Sequence, residues 1–274
     1  MTSGSSPCAF FTPASASFQK SEGPFTTKAI SGLSCAIAAG ADAVAVSVVD
    51  PATSTDAINR AAGQVPYFTF DSDAPQSERI AYFGSSNVEL GKDAGELMKA
   101  AMPNGGTCIG YVGLTGAANA VERIQGYNEA VAGTGLELID VRGDDIDQTR
   151  ARANVDDVLV ANPDVNCMVG FYSYNPPRIY EALRDAGKLG QITVVAFDED
   201  PITLGAVAEG SFVGTVVQQP FAWGYDGSKL IASFLAGDTS GIPADGVIII
   251  PGLKVTPENV AEFQADLEAK LADL

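Results

Sequence analysis

The sequence predicts an α/β protein built on parallel sheets, and three observations carry that prediction. Short apolar runs rich in valine, isoleucine and phenylalanine lack polar alternation, as strands do when both faces of a sheet are covered. Helical patterns with short turns separate most of these runs from Ala29 onward, which is the signature of βαβ units. Two runs, "VPYFTFDSDAP" (65–75) and "ITVVAFDEDP" (192–201), end alike in Phe-Asp-x-Asp followed by proline. An aspartate at the carboxyl end of a buried strand is poorly placed for a core. It is well placed for a ligand, because open α/β sheets bind at those ends. Two such ends, more than a hundred residues apart, point to two sheets facing one cleft.

Taken in order, strands are expected at 43–49, 65–70, 107–112, 136–141, 167–171, 193–197, 212–217 and 246–250. The helices between them carry start and stop signals. Ser86-Asn87-Val88-Glu89 has the form of a capping box, with Ser86 holding a backbone N–H and Glu89 reaching back. "NPPRIYEALRDAG" has proline in its first turn, Ile179, Ala182, Leu183 and Ala186 on one face, and a stop at Gly187. "TPENVAEFQADLEAKL" offers Thr256 as cap, Pro257 at the first position and Val260, Phe263, Leu267 and Leu271 as an apolar stripe. Core packing explains these stripes. Residues 1–27 are rich in Ser, Thr, Pro and Ala, show no period of 2 or 3.6, and read as a loop or disordered tail.

Composition narrows the function. The 274 residues suffice for one large α/β domain or two smaller lobes, and 46% are apolar. Lys+Arg number 16 against 34 Asp+Glu, a formal charge of -18, which argues against a nucleic-acid surface. There is no histidine, so Ser-His-Asp and Cys-His nucleophiles and histidine metal sites are excluded. Cys8, Cys35, Cys108 and Cys167 have no C-x-x-C spacing. The last two sit in expected strands, read as small buried hydrophobes, and fix no redox compartment. The longest apolar stretch, "LSCAIAAGADAVAVSVV", carries Asp42 and divides into helix, turn and strand rather than spanning a membrane. "MTSGSSPCAFFTPASASFQK" lacks the basic start and sustained apolar stretch of a secretory signal.

The polar candidates cluster at strand ends. "GYVGLTGAANAVERIQGY" follows a strand with a Gly113/Gly116 turn and a helix, but lacks G-x-G-x-x-G and the phosphate-loop lysine, so no nucleotide cofactor is expected. Asn119 and Arg123 are four apart and share a helix face, although a surface ion pair would explain Arg123 alone. Asn175 follows one strand at the head of a helix, where a plain N-cap is the competing explanation. Gln218 and Gln219 end another strand. Asp71 and Asp198 each follow an apolar strand directly and are followed by Asp73 and Asp200. A turn or cap explains them in part, and no loop has the spacing of a calcium site, so no metal is expected. None of these groups is a good nucleophile and no base stands ready to activate one. Carboxylates accept from hydroxyls while arginine and amides donate, an inventory suited to binding a neutral polyol without a chemical step.

At this point the residues resemble a known family. "FDSDAP", "SSNVELGKDAGELM", "NAVERIQGY", "SYNPP", "VVAFDEDP" and "GTVVQQP" occur in the order and spacing of the periplasmic sugar-binding proteins of the ribose/galactose type, over roughly nine-tenths of the chain. The resemblance implies two Rossmann-like lobes joined by three crossing strands near Ser85/Ser86, Gln218/Gln219 and Gly252/Leu253. Residues 1–85 and 219–252 would form the N-terminal lobe, and 86–218 and 253–274 the C-terminal lobe. It implies a monosaccharide bound by Asp71 and Asp73 from the first lobe and by Asn119, Arg123, Asn175, Asp198 and Gln218 from the second. Tyr172 or Tyr174 would stack on a sugar face. Ile146 stands where the ribose-binding pattern has a stacking phenylalanine, which leaves the sugar open.

The implied protein is periplasmic and monomeric, needs no cofactor, and delivers its sugar to an ABC transporter permease by hinge closure. The family begins with a strand, a helix and a second strand that residues 1–27 do not supply, so the chain reads as an incomplete version of such a protein. Translating the upstream DNA in all three frames tests that expectation. Two other readings remain. One is a sensor presenting a sugar or signalling molecule to a membrane receptor. The other is the effector domain of a lactose-repressor-type regulator, which the two basic residues within 1–40, Lys20 and Lys28, suit poorly.

Overall fold

The computed structural model describes residues 36–48 and 50–272. The expectation for residues 1–27, and Cys8 and Cys35, lie outside them. The chain divides into two compact α/β units, one holding the residues up to Gly84 together with Pro220–Ile250, the other Ser85–Gln219 and Pro251–Leu274.

The first unit carries four parallel strands in the order β1 (Val44–Val46), β2 (Tyr67–Phe70), β3 (Ala81–Gly84), β9 (Val247–Ile249). Helix α1 (Pro51–Ala62) starts on Asp50, whose carboxylate accepts from the Thr53 N–H at 3.3 Å, with Pro51 in the first turn. Successive residues of β2 go to opposite sides. Tyr67 packs with Val44, Val48 and Ile58, while Phe68 packs with Ala81, Phe83 and Trp223. Trp223 belongs to α7 (Pro220–Leu235). Both faces of the sheet are therefore covered, which is why β2 reads as an unbroken apolar run.

The second unit carries six strands in the order β10 (Leu253–Val255), β8 (Gly214–Val217), β7 (Thr193–Phe197), β6 (Cys167–Gly170), β4 (Gly106–Val112), β5 (Leu136–Gly143). All neighbours are parallel except β10, which runs antiparallel to β8. Along β7, Val194 and Ala196 join one core while Val195 and Phe197 join the other, so this sheet too is buried on both faces.

Helices α2 (Asn87–Ala101) and α3 (Ala118–Val131) lie on the second of these cores. Their axes approach closely because Gly91, Gly95 and Gly126 sit at the contact. A Cβ at Gly91 would strike the Arg123 carbonyl, and one at Gly126 the Val88 carbonyl. Further helices are α4 (Gln148–Ala161), α5 (Asn175–Asp185), α6 (Pro201–Ala208) and α8 (Val260–Ala272).

Several expectations need correcting. β3 and β10 are not among the strands read from the apolar pattern. β3 is four residues long and runs straight into Ser85, and β10 is a three-residue edge strand with an exposed lysine, so neither leaves a periodic trace. Only half the capping box forms. Ser86 accepts from the Glu89 N–H at 3.3 Å, but Glu89 turns to Lys92 at 2.8 Å. Helix α8 begins at Val260, with Thr256 accepting from the Val260 N–H across a preceding turn rather than capping at the side chain.

Cys108 and Cys167 are buried, as read, but they are not separate small hydrophobes. They are register partners on β4 and β6 and form a disulfide, with Cα atoms 4.4 Å apart. Spacing alone could not show this, because the pairing follows from strand order. With a sequence separation of 59, the chain-entropy account assigns such a link about 4 kcal/mol.

Candidate functional site

In the first unit the candidate residue at a strand end is Asp71, immediately after β2. Its φ is +60, a left-handed conformation that aspartate tolerates better than most residues. Neighbouring β3 holds it there. The Asp71 N–H donates to the Phe83 carbonyl at 3.3 Å, and the Tyr82 hydroxyl donates to the Asp71 carbonyl at 2.8 Å. Gly84 makes this possible, since a Cβ there would collide with the Tyr82 phenol. Ser47, just after β1, donates its hydroxyl to Asp71 Oδ2 at 2.8 Å.

Asp73 has different work. Its carboxylate takes a bidentate bond from Arg79, Nε to Oδ1 at 2.5 Å and Nη2 to Oδ2 at 2.6 Å, and accepts from the Thr69 hydroxyl at 2.6 Å. Arg79 also donates to the Gly246 carbonyl at 3.0 Å. Strands β2 and β3 are parallel, yet only residues 71–80 connect them and no helix intervenes. The Asp73–Arg79 pair fastens that short crossover to the sheet.

In the second unit the candidates occupy the carboxyl ends of adjacent strands. Asp198 follows β7 with φ +66. Its N–H donates to the Val216 carbonyl at 2.9 Å, and the Thr215 hydroxyl donates to its carbonyl at 2.8 Å. Asp200, two residues on, caps α6 by accepting from the Ile202 N–H at 2.8 Å. Between them, half-buried Glu199 has its pKa pushed up to about 7, first by burial and then by the neighbouring Asp198 charge.

Arg123 is 3% exposed, so the surface ion pair considered for it does not form. Its guanidinium donates to Asn87 Oδ1 at 3.0 Å, the Phe171 carbonyl at 2.6 Å and Gln218 Oε1 at 2.9 Å. It also lies 4.9 Å from the centroid of the Phe197 ring. An amide nitrogen cannot accept from a guanidinium, so Gln218 must present its oxygen to Arg123. Its Nε2 is then left buried with no hydrogen-bond partner among the described residues.

Two further groups complete the row. The Tyr172 hydroxyl donates to Asn119 Oδ1 at 2.8 Å, and the same oxygen accepts from the Ala120 N–H. Asn175 is the first residue of α5 rather than its N-cap, a position held by Tyr174. Its side chain accepts from the Tyr172 N–H at 3.2 Å and donates to Asp144 Oδ2 at 2.8 Å.

Asp144, after β5, was not singled out in the sequence. It is 1% exposed and accepts from the Tyr174 hydroxyl at 2.7 Å and the Ile146 N–H at 2.9 Å. Burial raises its pKa against the bonds from Tyr174, Asn175 and Ile146, which lower it. Burial and then the bond to Asp144 raise the Tyr174 pKa. Asp144 ends a strand as Asp71 and Asp198 do, but β5 alternates polar and apolar residues, so the run before it lacks their signal. Ile146 is 47% exposed, with φ +65.

Asn119, Tyr172 and Asn175 are thus joined by hydrogen bonds, as are Arg123 and Gln218, and the Arg123 bond to the Phe171 carbonyl links the two groups, with Asp198 on the strand between those that carry Tyr172 and Gln218. Asp71 and Asp73 belong to the other unit. Among the described residues no group of three His, Cys, Asp or Glu side chains could hold a metal ion. No helix there is long and apolar enough to cross a membrane.

The two α/β units, between which the chain passes three times, each carry polar side chains at the carboxyl ends of their parallel strands. The chain belongs to the periplasmic binding protein domain family, whose model matches residues 16–239. It is 28% identical over 191 residues to the ribose import binding protein RbsB of Salmonella typhimurium, covering 68% of this chain and 64% of that relative. The chain therefore spans a little under two thirds of the curated relatives of this kind that it matches.

Among solved structures, a solute-binding protein of an ABC transporter from Burkholderia graminis, in complex with D-arabinose, is similar with a TM-score of 0.79 and 27% identity, over 85% of this chain and 81% of that one. The glucose-galactose binding protein GanP from Geobacillus stearothermophilus is similar with a TM-score of 0.78 and 25% identity, over 84% and 81%.

Proposed function

We propose that this protein binds a monosaccharide at the carboxyl ends of its strands and delivers it to an ABC importer. One observation carries the reading. Gln218 Nε2 is a buried donor without a partner among the described residues, at the end of a strand in a row of acceptors and donors that contains no nucleophile. A buried unpaired donor costs about 1–3 kcal/mol, and a ligand oxygen would recover it. A sugar offers such oxygens in quantity, and it also offers hydroxyl donors to carboxylates.

Asp71 in one unit, and Asn119, Arg123, Tyr172, Asn175, Asp198 and Gln218 in the other, are the proposed sugar contacts. Asp73, committed to Arg79, acts behind them. Hinge closure on the sugar would favour one form of the protein over another, and the closed form is what a permease would recognise. The relatives' names, a ribose import binding protein and an arabinose-bound solute-binding protein, support both the ligand class and the importer. The buried Cys108–Cys167 disulfide suits an oxidising compartment such as the periplasm. The protein would act there as a monomer and catalyse nothing.

A thermal melt of the purified chain against a panel of pentoses and hexoses tests this. A sugar at about 100 times its Kd adds roughly 2.7 kcal/mol to a competent native state, a rise of several degrees. A cooperative transition indifferent to every sugar overturns the reading.

A further inference from the structure

We infer that Asp144 is a positioning residue for the strand-end site, and that its buried carboxylate makes Asn175 offer a ligand a hydrogen-bond donor. The inference rests on the sugar-binding reading only where it concerns affinity. Asp144 is 1% exposed, too deeply buried to serve as a contact itself. It acts through what it holds.

The orientation of the Asn175 amide follows from its two partners. The Tyr172 backbone N–H can only donate, and it meets Asn175 Oδ1 at 3.2 Å. On the other side Asn175 Nδ2 donates to Asp144 Oδ2 at 2.8 Å. The Tyr174 hydroxyl and the Ile146 N–H both come to Asp144 Oδ1, at 2.7 and 2.9 Å, so Oδ2 is left to Asn175. Reversing the amide would set N–H against N–H on one side and oxygen against oxygen on the other. An amide nitrogen carries two hydrogens, and Asp144 takes one of them. The second is what Asn175 offers a ligand, as a donor, at the head of α5.

The surroundings are shaped for this pair. Asp144 follows the edge strand β5, and its N–H donates to the Gly113 carbonyl at 3.2 Å. Gly113 leaves the room in which Tyr174 reaches Asp144, since a Cβ there would strike the Tyr172 ring and the Tyr174 hydroxyl. Gly170, at the end of β6, does the same for α5, because a Cβ there would strike Pro176. A turn after β5 needs only the bond from the Ile146 N–H to Asp144. The bonds from Tyr174 and Asn175 go beyond that need. No cation bonds to Asp144 among the described residues, so three donors alone support a buried carboxylate that would be costly without them.

Amide exchange at Tyr172, read by NMR without any sugar, reports the orientation. Calorimetric titration with whichever sugar shifts the melt reports the consequence. Asp144→Asn keeps the shape but turns a nitrogen toward Asn175, because its oxygen is held by Tyr174 and Ile146. The Asn175 amide must then reverse, so Tyr172 exchange should rise at least tenfold and sugar affinity fall at least tenfold. Combining Asp144→Asn with Asn175→Asp exchanges carboxylate and amide, keeping the charge and every internal bond. Tyr172 exchange and the melt should then return to wild type, while affinity stays at least tenfold down because the donor is gone.

Wild-type Tyr172 exchange in Asp144→Asn would mean that the carboxylate does not set the amide, and would overturn the proposal. So would raised exchange with wild-type affinity, or affinity that returns with the melt in the double variant, since either leaves Asp144 a purely structural residue. If no sugar binds the wild type, the functional reading fails, while Tyr172 exchange still decides whether Asp144 orients Asn175.

Discussion

The ends of β2 and β7 are the same device built twice, and their differences show which parts the device needs. In both, an apolar strand closes on Phe-Asp with the aspartate at positive φ, +60 and +66. In both, the neighbouring strand takes the aspartate N–H on a carbonyl and returns a hydroxyl to its carbonyl, Tyr82 in one and Thr215 in the other, each at 2.8 Å. A non-glycine residue held in this region costs of order 1–3 kcal/mol unless its surroundings over-determine it, and two bonds from the adjacent strand do so. The second acids diverge. Asp73 locks a crossover that has no helix, whereas Asp200 starts one. The shared Asp-x-Asp pattern therefore unites two residues with one task and two residues with different tasks.

Removing the second acids' partners should break the comparison most sharply. Arg79→Met leaves a mostly buried Asp73 carboxylate with only the Thr69 hydroxyl and the Ala74 N–H, so the first unit should lose about 3 kcal/mol. Asp200→Ala removes one helix cap, so the second unit should lose about 1 kcal/mol. Urea denaturation followed by the fluorescence of Trp223 for the first unit, and by backbone exchange for the second, measures both. Equal losses would mean that Asp73 is no more than a turn residue.

The hydroxyl braces should give smaller and more nearly equal effects. Thr215→Val keeps the shape of a fully buried side chain and deletes its bond to the Asp198 carbonyl, for an expected loss of about 1–2 kcal/mol. Tyr82→Phe deletes the matching bond to Asp71, for about 1 kcal/mol. Each should also weaken sugar binding severalfold by freeing the aspartate it holds, and Thr215→Ser should restore both properties. Calorimetric titration alongside the melts distinguishes this from a purely structural bond, which would lower the melt and leave affinity alone.

The braces also mark where the sequence stops being legible. Asp71 and Asp198 stand out because the punctuation repeats, and Asn119, Asn175 and Gln218 because strand ends and helix heads can be read locally. Their partners cannot. Tyr82, Thr215, Asp144 and Asn87 reach the site from 11, 17, 31 and 36 residues away, and strand order and register bring them there. A single chain's composition does not encode that pairing. The same limit hid the Cys108–Cys167 bond. A surface ion pair could compete as an explanation for Arg123 because the helix pattern alone does not reveal that glycines draw α2 against α3 beside it. The main parallel strands were legible for the opposite reason, since covering both faces of a sheet writes itself into each strand separately.

The middle residues give the finest contrast, Ser72 after Asp71 and Glu199 after Asp198. Burial and the Asp198 charge lift the Glu199 pKa from its ordinary 4.5 to about 7. The folded second unit therefore holds this proton where the unfolded chain releases it. The resulting stability is fully present below about pH 4.5 and is lost as pH rises through 7. Because Glu199 is only half buried, about 1 kcal/mol is expected across that window rather than the full value of the shift. Glu199→Gln cannot release a proton, so its melting temperature should fall less than that of wild type between pH 5 and pH 8 and exceed it at pH 8. The first unit, with Ser72 in the equivalent place, should show no such difference between the two proteins. Parallel pH dependence in wild type and Glu199→Gln would mean that Glu199 is already ionised in the folded unit at pH 5, and the two strand ends would then share a backbone but differ by one charge.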